Sequence, residues 1–96
     1  MKLIRNKMAL TPYENRTVIL VNSETQKSLA FDKILEEAHE LFNAKSPEEI
    51  VAELGDLEDS IIFFKKLYNI DENILAKSKA DKAELKGTFD GGYVLL

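Results

Sequence analysis

The sequence contains no cysteine, and histidine occurs once among its 96 residues. The absence of cysteine excludes a disulfide framework, a thiol nucleophile and a cysteine-based zinc site. Long apolar runs are also absent, since the longest contain four residues, as in Ile61-Ile62-Phe63-Phe64, and are far too short to cross a bilayer. No signal-peptide pattern opens the chain, so we expect a cytoplasmic location and no membrane partner.

The sequence also lacks a basic excess. Its formal net charge of −4 argues against a nucleic acid polymer as partner, although a nucleotide held through a metal is compatible with it. At 45% hydrophobic and 31% charged, the composition is that of an ordinary globular domain rather than a disordered chain. We therefore expect one domain over residues 1–96, near the lower size limit for a single core.

Helical spacing of apolar residues predicts an all-α fold. The first helix is predicted over 23–43, the second over 47–68, and the third from a cap at Asp71 to about Lys86. Because a short turn separates the first two helices, we expect them to form an antiparallel hairpin, with the third helix added to it.

Two of the predicted helix starts resemble capping boxes. Ser23 is the expected cap of the first helix, with Gln26 three residues later, and Ser46 precedes Pro47 and Glu49 in the second. Glycine at position 87 follows the third helix, where a positive φ angle is expected.

The apolar residues of the second helix fall on more than one side. The first helix has one predicted stripe, made of Phe31, Ile34, Leu35, Ala38, Leu41 and Phe42. The main stripe of the second contains Ile50, Leu54, Leu57, Ile61, Phe64 and Tyr68. Phe63 and Leu67 fall on another side, close in angle to Asp56 and Ser60. Because a helix apolar on two sides must be buried on two sides, we expect oligomerisation to complete the bundle.

The two ends of the chain are predicted to pack. In the N-terminal segment 1–7, Leu3 and Ile4 are expected to dock, while Arg5 or Lys7 either reaches a phosphate or lies in a solvated terminus. The β-branched run 17–21 is typical of a short strand or an extended connector. The apolar C-terminal residues 93–96 are also expected to be packed.

Two acidic pairs are symmetric about the turn between the first two helices. They are Glu37-x-x-Glu40 and Glu53-x-x-Asp56. In an antiparallel hairpin, Glu37 lies level with Asp56 and Glu40 level with Glu53, roughly 14 Å from the turn at about 1.5 Å per residue. Such a cluster repels itself and favours a hard cation such as Mg²⁺, Mn²⁺ or Ca²⁺. The alternative is a solvated acidic face.

Lysines line one face of the predicted third helix. Lys79, Lys82 and Lys86 follow helical spacing. This face either meets phosphate opposite the acidic cluster or is simply solvated.

Together, three segments of the chain resemble one protein family. The spacing of the two acidic pairs is similar to the metal signature of the MazG-like all-α nucleoside triphosphate pyrophosphohydrolases. The opening KLIRNK resembles the KLVRDK start of a small branch related to phosphoribosyl-ATP pyrophosphohydrolase. The segment 82–89, KAELKGTF, is similar to that branch's K-x-x-x-R-G-G-F. The whole chain thus resembles a single domain of this type.

The resemblance implies a Mg²⁺-dependent hydrolase, with Mn²⁺ as a possible substitute. It releases pyrophosphate from a nucleoside triphosphate by water attack at the α–β linkage, and it assembles as a dimer or a larger helical bundle. The implied metal-binding and catalytic residues are Glu37, Glu40, Glu53 and Asp56. The implied phosphate-binding residues are Lys82, Lys86 and Arg5.

The chain departs from the branch at several positions. Asn6 stands where aspartate is common, Met8-Ala9 replaces Ile-Pro, Lys86 replaces arginine and Thr88 replaces glycine. These changes concern the substrate more than the metal, because all four acidic positions are intact. Phosphoribosyl-ATP is a second substrate hypothesis. From a different class, the chain is hypothesised to be a non-catalytic nucleotide-binding or protein-interaction module.

Overall fold

The computed structural model describes residues 1–10 and 16–96, and the regular structure found there is helical. A 3-10 turn at Met8–Leu10 precedes α1 (Ser23–Phe42), α2 (Pro47–Leu67) and α3 (Glu72–Lys86). The all-α prediction is confirmed for this part of the chain. Residues 17–21 form neither helix nor strand, as the connector alternative expects, and residues 11–15 of that connector lie outside the described part. None of the described helices has the length and apolar character needed to span a membrane.

The cap of α1 lies one residue earlier than predicted. Asn22 Oδ1, rather than the Ser23 hydroxyl, accepts a hydrogen bond from the Thr25 backbone N–H at 2.9 Å. Gln26 does not close a capping box, because its side-chain amide donates to the Val21 carbonyl at 2.8 Å. Asparagine and serine are about equally good caps, so sequence preference alone does not choose between neighbouring positions.

The start and end of α2 are fixed by side-chain and backbone hydrogen bonds. Ser46 Oγ accepts from the Glu49 N–H at 3.2 Å, while Glu49 Oε2 accepts from the Lys45 N–H at 2.7 Å. The box is therefore shifted by one residue from the expected form. At the other end Asn69 adopts a φ of 51°, which lets the Ile70 N–H reach back to the Lys65 carbonyl at 3.0 Å.

α1 and α2 form the predicted antiparallel hairpin. Near the open end Lys27 lies over the Tyr68 ring at 5.3 Å, and the Phe31 and Phe64 rings have centroids 6.3 Å apart. Nearer the turn, Glu37 of α1 approaches Asp56 of α2. As the residue number rises along α1, the number of its contact partner on α2 falls, as expected for antiparallel helices.

The inner face of the hairpin is narrower and more polar than predicted. The described residues that are buried are Ala30, Glu37 and Ser60, and Ala30 is 1% exposed. Much of the predicted apolar stripes remains open to solvent, since the exposed residues include Leu35, Phe42, Ile50, Leu54 and Ile61, and Phe31 and Tyr68 are exposed despite their contacts across the hairpin. Phe63 and Leu67, on the other side of α2, are half-buried instead. A two-helix hairpin covers only one side of a helix that is apolar on two sides.

α3 stands away from the hairpin. Among the described elements, only α1 and α2 pack along their length, and α3 meets α2 through the ion pair of Lys65 with Glu72 at 3.4 Å. The Cα radius of gyration is 17.0 Å, against about 13 Å for a compact domain of about this length. The expectation that residues 93–96 pack is wrong, because Tyr93 is 95% and Leu95 98% exposed. The tail finds no cover because the helix before it does not fold back onto α1 or α2.

Candidate metal centre

Three of the four predicted acidic residues converge at the middle of the hairpin. One carboxylate oxygen each from Glu37, Glu53 and Asp56 lies within 4.8 Å of the other two. Glu37 is buried on α1, while Glu53 and Asp56 are half-buried on α2. The register of the antiparallel hairpin brings them together, as the symmetry of the two pairs predicts. We call these three residues the carboxylate cluster.

Glu40 lies outside the carboxylate cluster. Its side chain is exposed, whereas Glu37 is buried on the same helix. Three residues along an α-helix offset a side chain by about 60° in direction and about 4.5 Å along the axis, which places Glu40 at the exposed edge of the face that Glu37 occupies. Its charge is nonetheless close enough to act on Glu53.

The carboxylate cluster is electrostatically strained in the absence of a cation. Partial desolvation, followed by the charges of Asp56, Glu40 and Glu37, raises the pKa of Glu53 above its ordinary value of 4.5. A nearby cation would oppose this repulsion, because it favours the charged form of the carboxylate.

This strain gives a prediction for stability against pH. Because the native state binds the Glu53 proton more tightly than the unfolded chain, the destabilisation is full above the raised pKa. It fades as the pH falls through that pKa and is absent below about 4.5. Glu53→Gln is therefore expected to raise the thermal midpoint at pH 7 without metal, with a gain that shrinks on acidification. Thermal melts from pH 3 to 8 measure this. Glu58→Gln, an exposed position on the same helix, is the control, and a lower midpoint for Glu53→Gln at pH 7 would contradict the prediction.

Two cations border the carboxylate cluster. Arg5 donates from Nη2 to Asp56 Oδ1 at 2.6 Å and from Nη1 to Asp59 Oδ2 at 3.0 Å. Lys33 Nζ lies 3.4 Å from Glu37 Oε1, one helical turn away. Sequence reasoning missed Lys33 and Asp59. The i,i+4 spacing of Lys33 and Glu37 was a usable signal, whereas the contact of Arg5 with α2 spans more than fifty residues and had none.

Glu36, the neighbour of Glu37, is engaged elsewhere. Its carboxylate pairs with Lys33 at 3.3 Å and with Lys2 of the N-terminal segment at 3.4 Å. Partial desolvation acts to raise its pKa, but the hydrogen bonds and charges of the two lysines outweigh this and lower it. Glu36 is thus held as an ionised partner of lysine.

The three predicted phosphate-binding residues are not gathered at one place. Arg5 lies beside the carboxylate cluster, bound to aspartates of α2. Lys82 and Lys86 lie on α3, where they share a shallow open groove with Ile74 and Leu85. The described part of α3 meets α2 at its first residue, through the ion pair of Glu72 with Lys65 at 3.4 Å, and does not pack along the hairpin. Lys82 and Lys86 therefore do not reach the carboxylate cluster of their own subunit.

The donor set of the carboxylate cluster fits a hard divalent cation. Mg²⁺ binds oxygen at about 2.0–2.1 Å, so ligands on opposite sides of one ion are about 4.2 Å apart. Adjacent ligands of one octahedral ion are closer, about 2.9 Å apart, so the three oxygens, which lie within 4.8 Å of one another, move inward through side-chain rotation to share an ion. A comparison with protein-family models, curated proteins and solved structures finds no match for this chain.

Proposed function

We propose that this protein is a Mg²⁺-dependent nucleoside triphosphate pyrophosphohydrolase that produces a nucleoside monophosphate and pyrophosphate. The observation that carries the proposal is the convergence of Glu37, Glu53 and Asp56 oxygens within 4.8 Å, at positions that match the acidic signature of MazG-like enzymes. Mn²⁺ is the expected substitute for Mg²⁺. The proposed role is the removal of non-standard nucleotides, with the cytoplasm as the expected location.

The proposed mechanism divides the work among the acidic residues. Glu37, Glu53 and Asp56 hold the cation through carboxylate oxygens. When bound, Mg²⁺ supplies charge neutralisation at phosphoryl oxygens and a water of lowered pKa. Glu40, exposed and outside the carboxylate cluster, is the carboxylate that accepts a proton from the attacking water. Glu36 does not take this role, since two lysines occupy it.

The proposal includes a second copy of the chain, in a homodimer or homotetramer. The outward apolar side of the hairpin supports this, because Leu35, Phe42 and Val51 are each more than half exposed. Soluble monomers rarely expose large contiguous apolar surface. A neighbouring subunit that covers this side is also the proposed source of Lys82 and Lys86 at the carboxylate cluster. Sedimentation velocity distinguishes this assembly from a monomer.

The experiment that tests the function is pyrophosphate release from a panel of canonical and modified nucleoside triphosphates. We expect release with Mg²⁺ or Mn²⁺ and none with EDTA, with the monophosphate as the second product. Phosphoribosyl-ATP is included as the alternative substrate. Absence of release across the whole panel, in a sample shown to be folded, contradicts the proposal.

A specific observation favours a second candidate, a non-catalytic nucleotide-binding or protein-interaction module. α3 and the segment after it expose Leu85, Phe89 and Tyr93 by more than 80% each, as a partner-binding helix would. In such a module the carboxylate cluster is a solvated acidic patch. Removal of its charges would then leave binding of the partner unchanged.

A further inference from the structure

The N-terminal arm, defined as residues 1–10, has a charge opposite to that of the hairpin. The arm carries three cationic side chains and no carboxylate, whereas residues 23–67 carry eleven carboxylates and five lysines. The arm lies against the hairpin, with Leu3 and Ile4 half-buried and Lys2 paired with Glu36. Ion pairs within the chain, from Lys2 and Arg5, therefore neutralise part of the excess negative charge of the hairpin.

Arg5 is the residue of the arm that reaches the carboxylate cluster. Its 2.6 Å bond to Asp56 is short and charge-assisted, and its second bond, to Asp59, anchors it outside the cluster. The Met8 N–H donates to the Arg5 carbonyl at 3.0 Å, so a local turn holds the backbone of this residue. The positive charge of the guanidinium thus neutralises part of the negative charge of the carboxylate cluster.

The bond between Arg5 and Asp56 is readily exchangeable. The side chains are 60% and 42% exposed, and ion pairs that are open to solvent contribute little to the stability of a protein. A divalent cation among the same carboxylates carries twice the charge and contacts several oxygens at once. A guanidinium nearby repels it, with a strength that depends on distance and screening.

We propose that Arg5 is an exchangeable counter-ion of the carboxylate cluster. It neutralises Asp56 while the cluster holds no metal, and divalent cation binding displaces it. Displacement frees the Nη2 end of the planar guanidinium, which Asp59 still holds at the rim of the cluster, and that end donates to the polyphosphate of the incoming nucleotide. This inference rests on the proposed metal centre and adds an order of events, with the cation bound before the arginine meets phosphate.

The competing role for Arg5 is that of a fixed support. A positioning residue would hold the Asp56 carboxylate in the orientation that a metal needs, and its loss would weaken metal binding about 10- to 100-fold. A counter-ion gives the opposite sign, because its removal leaves the carboxylates more negative. The two roles are therefore distinguished by whether loss of Arg5 raises or lowers the affinity for the metal.

The test is a calorimetric titration of the full chain with MnCl₂, without nucleotide. For Arg5→Gln we expect Mn²⁺ binding about 3- to 10-fold tighter than in the wild type, from the loss of one nearby positive charge. Lys7→Gln is the matched control, since it removes an equal charge from an arm residue that makes no ion pair among the described residues. We expect less than a twofold change for it. In wild-type protein, the side-chain N–H NMR signals of Arg5 should shift toward those of a free guanidinium as MgCl₂ is added.

Four results would overturn the inference. The counter-ion role is excluded if Arg5→Gln binds Mn²⁺ as tightly as the wild type or less tightly. It is also excluded if the wild type binds metal but its Arg5 signals do not change with MgCl₂. Both results leave the proposed metal centre in place. An equal gain in Mn²⁺ affinity for Lys7→Gln would mean that the effect comes from the net charge of the arm and not from the position of Arg5. Lack of Mn²⁺ binding by every form, at protein concentrations where the fold is confirmed, overturns the metal centre together with the inference.

Discussion

Glu53→Gln is expected to lower pyrophosphate release at least about 100-fold and to make the metal-free protein more stable. The activity estimate follows from metal sites in general, where the loss of even an outer partner lowers affinity or activity about 10- to 100-fold. The stability gain follows from the removal of repulsion by Asp56, Glu40 and Glu37, which contributes to the raised Glu53 pKa. Glutamine keeps the shape of the side chain and its place on α2. An inactive but more stable variant cannot be explained by unfolding.

Two further variants place this result in context. Glu58→Gln removes an equal charge from an exposed part of α2 and should leave turnover within about twofold. Glu40→Gln should lower turnover with little effect on Mn²⁺ affinity, because Glu40 lies outside the carboxylate cluster. Assays of initial rate and calorimetric Mn²⁺ titrations give both quantities. Full activity of Glu53→Gln would exclude the carboxylate cluster as the catalytic centre.

Ala30→Lys is expected to have the largest effect on stability. Ala30 is 1% exposed on the inner face of the hairpin, so a lysine at this position starts from a backbone that is shielded from solvent. An unpaired charge in such a position destabilises a protein by about 3–5 kcal/mol, much of the total stability of a small domain. Urea unfolding followed by circular dichroism measures the loss.

Ala52→Lys is the control for this substitution. Ala52 is exposed on α2, with Glu48 and Asp56 four residues to either side. Lysine is a good helix former, and we expect a change within about 0.5 kcal/mol. Equal losses at both positions would mean that the inner face of the hairpin is not the structural core.

The elements of the fold were predictable because their signals are local. Ser46 and Pro47 mark the start of α2, and Gly87, with a φ of 79°, marks the end of α3. The symmetry of the acidic pairs also predicted the meeting of Glu37 with Asp56, because it depends only on the register of a hairpin. Asn22 and Ser23 are both good helix caps, and the sequence does not show which of them forms the capping hydrogen bond.

Sequence did not predict which side of each helix would face inward. α2 is apolar on two sides, so periodicity alone favoured the larger stripe, whereas the face toward α1 combines the buried Ser60 with Phe64 from that stripe. The position of Arg5 was also out of reach, since no sequence pattern encodes a contact between an arm and a helix so distant in the chain. The position of α3 relative to the hairpin was not predictable either, because it depends on contacts between distant surfaces and not on the sequence of α3 itself.

The hairpin has a consequence for the order in which the protein forms. α1 and α2 are neighbours in the sequence, joined by the short turn 43–46, so their mutual contacts require little loop closure. Proteins dominated by such contacts fold in microseconds to milliseconds. The encounter of two chains at micromolar concentration is slower than this folding step, and its rate falls as the protein is diluted. The carboxylate cluster, built within one chain, therefore exists before any partner arrives, and the proposed supply of lysines from a second α3 becomes a separate, second-order step.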